Sequence, residues 1–166
     1  MSEKVKTALE IKEISEKLRS QGKTIVTTNG AFDILHLAHV KTLERAKKEG
    51  DFLMVLLNSD RSIRNYKGEG RPIIPEQERA EMLAALGCVD YVIIFDEDMP
   101  LGILDTIKPK IHVKGGTFVE ERIRKEKELL EKWGGVFKNF EVEDGFSTTN
   151  IINRVLEKNG FREYKK

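Results

Sequence analysis

The sequence predicts an α/β fold: a Rossmann-like, doubly wound, mostly parallel five-stranded sheet with helices on both faces. Three observations predict it. Apolar, β-branched runs alternate with helical patterns along the chain, as they do where parallel strands are joined by helical crossovers. One run, FLMVLL at residues 52–57, is apolar at every position, the mark of a strand covered on both faces. The unusual polar residues gather at the carboxyl ends of the strands, where such sheets bind ligands: Asn29-Gly30, Asn58-Ser59-Asp60 and Lys114-Gly115-Gly116.

Each element follows from a local pattern. Ile11, Ile14 and Leu18 recur at helical spacing, so a helix is expected within residues 3–20. The β-branched run at 24–28 is a strand that meets a turn at Asn29-Gly30. Val40, Leu43 and Ala46 mark a helix over 38–49, stopped by Gly50, and 52–57 is the second strand. Residues 58–74 are polar, carry KGEGRP, and read as a loop. Pro75 opens a helix to about Leu86. Then come a strand at 91–95, a short helix at 99–107, a strand at 110–113 and a charged helix at 119–133. A strand at 135–142 and a helix at 147–158, with Ile151, Ile152, Val155 and Leu156 as its core face, complete the pattern.

A chain of 166 residues suits one domain, expected as a helix at 1–21, a catalytic core at 22–157 and a tail at 158–166. The 29 basic and 28 acidic residues nearly cancel, which argues against nucleic acid as the partner while leaving room for a local basic pocket. One cysteine, Cys88, permits neither an internal disulfide nor a cysteine-based zinc site, and its apolar setting reads as an inert thiol. The first residues are charged, with no signal-peptide core, and no apolar run approaches the roughly 18 residues of a membrane span. The expected address is the cytoplasm, with no membrane partner.

TNGAFDILHLAHVKTLERAKKEGD, residues 28–51, sets two histidines three apart, His36 and His39. Zinc would need a third ligand that only His112 or a carboxylate offers. Two core histidines satisfied by backbone are a second reading. Anion binding is the third: a strand, a glycine-containing turn and a helix start aim backbone N–H groups and the positive end of a helix dipole at one spot. Lys41 adds charge nearby. The turn has neither the dinucleotide nor the Walker glycine spacing.

The stretch from Asn29 to His39 resembles the HxGH signature of the cytidylyltransferase-like nucleotidyltransferases. KGEGRPIIPEQERAEMLAAL, VDYVIIFDEDMP, IHVKGG and GFSTTNII, in order, are similar to the adenylyltransferase half of ADP-heptose synthases, over roughly residues 22–157. The resemblance implies a stand-alone, magnesium-dependent enzyme that joins a nucleoside triphosphate, most readily ATP, to a sugar 1-phosphate such as heptose 1-phosphate and releases pyrophosphate. Same-fold alternatives use CTP, or an alcohol phosphate or FMN-like acceptor. A nucleotide-binding module without turnover is a rival of another class. Relatives of this kind are commonly homodimers or larger.

The nucleophile in that chemistry is a phosphate oxygen, already ionised at neutral pH, so positioning and charge neutralisation carry the reaction. The resemblance implies that His36 and His39 donate to the triphosphate, with Lys41 close by and Lys67 on a closing loop. Asn29, Gly30, Ala31, Phe32, Arg71, Lys114 and Gly115 would line the nucleotide and its phosphates, and Asp33 would organise the turn or meet the metal. Arg79 falls on the apolar stripe of Met82, Leu83 and Leu86, where a charge is costly unless it faces a ligand or a buried partner. Ser147, Thr148 and Thr149 open the last helix as a cap, as a second triphosphate grip, or as both. The chain departs from the motif at Ala38, where the family has glycine, so a methyl group faces the nucleotide. Thr117 departs too, replacing the acidic residue that follows the two glycines in the heptose enzymes.

Overall fold

The computed structural model describes residues 2–116, 120–141 and 146–161, with Arg122 described by its backbone alone. In chain order the elements are α1 (Ala8–Ser20), β1 (Ile25–Gly30), α2 (Leu37–Lys47), β2 (Phe52–Asn58), α3 (Asp60–Lys67), α4 (Glu76–Ala84) and β3 (Tyr91–Phe95). They continue with α5 (Leu101–Ile107), β4 (Ile111–Gly115), α6 (Glu120–Glu131), β5 (Val136–Phe140) and α7 (Thr148–Lys158). The five strands form one sheet in the order β3-β2-β1-β4-β5, every pairing parallel.

Because side chains alternate along a strand, the continuous apolar run of β2 supplies both faces. Leu53, Val55 and Leu57 join Val26, Leu43, Ala46, Ala80 and Leu83 under α2 and α4. Met54 and Leu56 join Ile11, Leu18, Ile103, Leu104 and Ile107 under α1 and α5. This is the doubly wound arrangement that the sequence predicted. Cys88 is partly buried against the first cluster, and desolvation raises its thiol pKa, which keeps it protonated and unreactive.

Several expectations change. The first helix begins only at Ala8, after a capping box between Thr7 and Glu10. Residues 4–6 instead run alongside β3, with Val92 N–H donating to the Lys4 carbonyl at 2.9 Å and Lys6 N–H to the Val92 carbonyl at 2.9 Å. The polar stretch after β2 is not all loop. It contains α3, capped by the Ser59 side chain accepting from Ser62 N–H and anchored by buried Ile63. Composition hid this helix because its exposed face is almost entirely polar. The last helix has no fully buried residue: Val155 is exposed, and Ile151, Ile152 and Leu156 are only half-buried, so its apolar stripe is not the core face expected. Thr117, Val142 and residues 162–166 of the tail lie outside the described residues.

Candidate active site

In this strand order the chain moves outward from β1 through β2 to β3, then returns past β1 to β4. The reversal leaves a crevice between the carboxyl ends of β1 and β4, where open α/β sheets bind ligands. A cavity of about 460 Å³ lies there. Its walls carry Asn29 to Asp33 from the end of β1, Ala38 and His39 from α2, Lys67 and Arg71 after β2, Lys114 to Gly116 from β4, and Phe146 to Thr149 at the start of α7.

The turn after β1 is strained into shape. Phe32 has φ 45°, a left-handed conformation that costs a non-glycine residue energy, and its ring meets the His39 ring edge-on at 5.1 Å. A side chain at Gly30 would come within 3.1 Å of the Phe32 ring, which accounts for glycine there. Asp33 is buried and fully engaged: one carboxylate oxygen accepts from Arg71 Nε at 2.6 Å, the other from Ile73 and Ile74 N–H at 2.7 and 3.1 Å. Its role is to tie the turn to the segment before α4. A metal at Asp33 would have to share its carboxylate oxygens with these three donors.

His36 is the N-cap residue of α2 and makes no side-chain cap bond. Its ring stacks on that of His39 with centroids 3.7 Å apart and planes 20° apart. Burial pushes the His39 imidazole down to about 3, helped by the neighbouring His36 ring and the Lys67 ammonium; burial lowers His36 as well. Both rings are thus neutral at pH 7 in this fold, each with one N–H donor and one acceptor nitrogen. Asn29 Oδ1, His36 Nδ1 and His39 Nδ1 are buried without a hydrogen-bond partner among the described residues. Buried polar atoms are normally satisfied, so three orphans in one cavity point to a ligand. Ala38 is buried on the first turn of α2 and lines the cavity, at the position where the motif has glycine.

Ser147 accepts a hydrogen bond from Asn150 N–H at 3.1 Å and is a true N-cap, while Thr148 and Thr149 line the cavity. The first turns of α2 and α7, each with backbone N–H groups that have no partner inside the helix, therefore face the same space.

Three assignments change. Arg79 does not line the cavity. Its side chain is fully buried: Nε donates to the Ile74 carbonyl at 2.8 Å, Nη1 to the Ala31 and Asn58 carbonyls at 2.5 and 2.9 Å, and Nη2 to Asp60 at 2.6 Å. It fastens the ends of β1 and β2 together beneath the site, the buried-ion-pair alternative. Lys41 is exposed and outside the lining, because helical geometry turns it away from the face shared by His39 and Thr42. Lys114 lines the cavity, but its ammonium is held by the buried Glu126 at 2.6 Å.

Sequence reasoning pointed to Asn58 at the end of β2 but did not single out Glu126, Tyr66, Asp98 or Phe146; all five line the cavity. Glu126 carried a signal: it lies on the same α6 stripe as buried Ile123 and Leu130, as Arg79 does among the leucines of α4.

No group of three or more His, Cys, Asp or Glu side chains suited to a metal ion occurs among the described residues. Magnesium, if it takes part, fits this cavity as an ion carried in by phosphate oxygens and water.

Strand order, crevice, histidine pair and helix tips together define a class, and comparison with known proteins agrees. The family model described as cytidylyltransferase-like matches residues 27–154, and the chain belongs to that family of nucleotidyltransferases. More particularly, it is similar to the bifunctional protein HldE of Syntrophotalea carbinolica, 50% identical over 155 residues that cover 93% of this chain and 31% of that protein. HldE of Geobacter metallireducens is 51% identical over 147 residues, covering 89% and 30%. The chain thus spans about a third of the length of these curated relatives. Among solved structures, a lipopolysaccharide core biosynthesis protein from Thermoplasma volcanium GSS1 superposes with a TM-score of 0.60 at 31% identity, covering 74% of this chain and 98% of that one. A pantoate-β-alanine ligase from Francisella tularensis shares the fold, with a TM-score of 0.65 at 14% identity over 93% of this chain and 76% of that one.

Proposed function

We propose that the protein transfers AMP from ATP to a sugar 1-phosphate, such as heptose 1-phosphate, and releases pyrophosphate. The observation that carries this reading is the convergence of the His36–His39 pair, its orphaned ring nitrogens and two helix N-termini on one cavity. The HldE relatives and the lipopolysaccharide core neighbour favour a sugar phosphate as the acceptor.

An oxygen of the acceptor phosphate attacks the α-phosphorus, the bond from that phosphorus to the bridging oxygen breaks, and pyrophosphate leaves with the electron pair. No proton need be removed from the nucleophile. His36 and His39 would donate to the α-phosphate as its charge rises, with the first N–H groups of α2 behind them; one such donor contributes about 3 kcal/mol to the transition state. Lys67, near enough for its charge to lower the His39 pKa, would meet the outer phosphates, and the first turn of α7 at Thr148 and Thr149 would hold them from the opposite wall. Mg²⁺ bound to the nucleotide would supply further charge neutralisation. The reading treats residues 22–157 as the catalytic core of one domain acting in the cytoplasm; among the described residues no helix is long and apolar enough to cross a membrane.

The test is pyrophosphate release from ATP or CTP with Mg²⁺ across a panel of phosphorylated acceptors. The expected result is release with ATP and a sugar 1-phosphate. Release only with CTP, or only with an alcohol phosphate or FMN-like acceptor, moves the assignment within the family. Tight nucleotide binding without pyrophosphate from any acceptor overturns turnover itself.

A further inference from the structure

The cavity reaches across the sheet, from β4 past β1 and β2 to the end of β3. The histidine pair and the tips of α2 and α7 serve the β1 and β4 side. The opposite flank is built by Asn58 at the end of β2, Tyr66 and Lys67 at the end of α3, and Asp98, Met99 and Pro100 after β3. Asp98 puts a carboxylate into that flank, and the phosphate chemistry gives it no role.

Helix α3 holds the loop that carries Asp98, one residue at a time. Ser59 Oγ, at the N-cap, donates to the Asp96 carboxylate. Ser62, itself fully buried, donates to the Glu97 carbonyl at 3.1 Å, and Asn65 Nδ2 donates to Asp98 Oδ1 at 3.1 Å. Positions 59, 62 and 65 are three apart, so one stripe of the helix makes all three bonds. Asn58 Nδ2 donates to Ser62 Oγ at 3.0 Å, which ties the end of β2 to the same stripe. Of the cations on this flank, Arg71 donates to Asp33 at 2.6 Å. Arg61 pairs with Asp96 at 2.6 Å and also feels the Asp98 charge, and Lys67 lies near enough to His39 to lower its pKa.

A carboxylate presented in this way repels phosphate oxygens and welcomes hydrogen-bond donors. With the triphosphate gripped from α2 and α7, the β3 flank is left to the second substrate. That molecule must bring its own phosphate to the α-phosphorus, beside the histidines and Lys67, so the rest of it runs along this wall. Neighbouring hydroxyls of a sugar suit the two oxygens of a carboxylate, and such charge-assisted bonds are about twice as strong as neutral ones. We infer that Asp98, held by α3, receives hydroxyls of the acceptor and selects a polyhydroxylated phosphate over a simple alkyl phosphate. The inference rests on the nucleotidyltransferase reading and names the acceptor class within it. Asp98 is a specificity-determining residue, and Asn65 is the positioning residue behind it.

The test is calorimetric titration of heptose 1-phosphate and of propyl phosphate into the full chain holding a non-hydrolysable ATP analogue and Mg²⁺. Both probes carry one phosphate, and only the first carries hydroxyls. Asp98→Asn keeps the shape and one acceptor oxygen but removes the charge. It is expected to weaken heptose 1-phosphate about tenfold, while propyl phosphate binds as tightly as before or more so. Asn65→Ala leaves the carboxylate in place without its orienting bond, and should weaken heptose 1-phosphate about threefold with propyl phosphate unchanged. Both side chains are exposed, so the melting temperature should stay within about 2 °C of the parent. A merely structural role would weaken the two probes together. Equal affinity of the parent and Asp98→Asn for heptose 1-phosphate overturns the inference, as does an equal loss for both probes. So does a parent that holds heptose 1-phosphate no more tightly than propyl phosphate, or a tenfold loss of the ATP analogue in Asp98→Asn, which would put the carboxylate on the nucleotide or its magnesium. Failure of the parent to release pyrophosphate with any acceptor refutes the nucleotidyltransferase reading, whereas the binding series judges Asp98.

Discussion

Replacing Arg79 with lysine separates a clamp from a phosphate ligand. The guanidinium makes four hydrogen bonds, to the carbonyls of Ala31, Asn58 and Ile74 and to Asp60, and is fully buried. A lysine ammonium keeps the charge but is a single point on a differently shaped stem, and it can retain one or two of these contacts. Two or three acceptors are left short at about 1 kcal/mol or more each, so the expected loss is about 3 kcal/mol of folding stability. For a chain of this size that corresponds to roughly 10 °C in melting temperature. Differential scanning calorimetry measures it. Steady-state kinetics well below the new midpoint should show the KM for nucleotide within about threefold of the parent, because Arg79 does not line the cavity. An unchanged melting temperature together with a tenfold rise in KM would refute this reasoning and return Arg79 to the phosphates.

His39→Ala should lower kcat/KM about a hundredfold or more in the pyrophosphate-release assay. Its melting point should fall only a few degrees, since the ring's buried nitrogen has no hydrogen bond to lose. Ala38→Gly should leave turnover equal or better and cost about 1 kcal/mol of helix stability in urea unfolding; a large loss of turnover would defeat the steric account of the methyl group. Acid should weaken the fold. His39 and His112 are held near 3 in the folded chain, but once unfolded they take up protons near 6.5, so their contribution is complete above pH 6.5 and is lost progressively as pH falls toward 3. Between pH 7 and 5 the loss is about 2 kcal/mol per ring, and equal urea midpoints at the two pH values would contradict it.

The strands and the location of the site were legible because they rest on one-dimensional patterns. The uninterrupted apolar run of β2 and the polar residues ending β1 and β4 announce buried parallel strands and a crevice at their carboxyl ends. The histidine pair was legible as well, since a spacing of three on a helix start fixes which faces meet. Charge partnerships were not. Arg79 and Lys114 each looked like a cation aimed at phosphate, and only the folded chain brings Asp60 and three carbonyls to the first and Glu126 to the second. The α3 helix escaped notice because a solvated helix with one buried anchor, Ile63, has little hydrophobic periodicity to read.

The two helix tips at the cavity are mounted unequally. Helix α2 is fixed by buried Ala38, Leu43 and Ala46, whereas α7 contributes no fully buried side chain. One jaw of the vice is bolted down and the other rests on a partly dry face. The free energy of local opening should therefore be lowest at α7, and amide exchange should be fastest there. A nucleotide that engages Thr148 and Thr149 would have to seat that jaw as it binds, so its measured affinity would understate the contacts made.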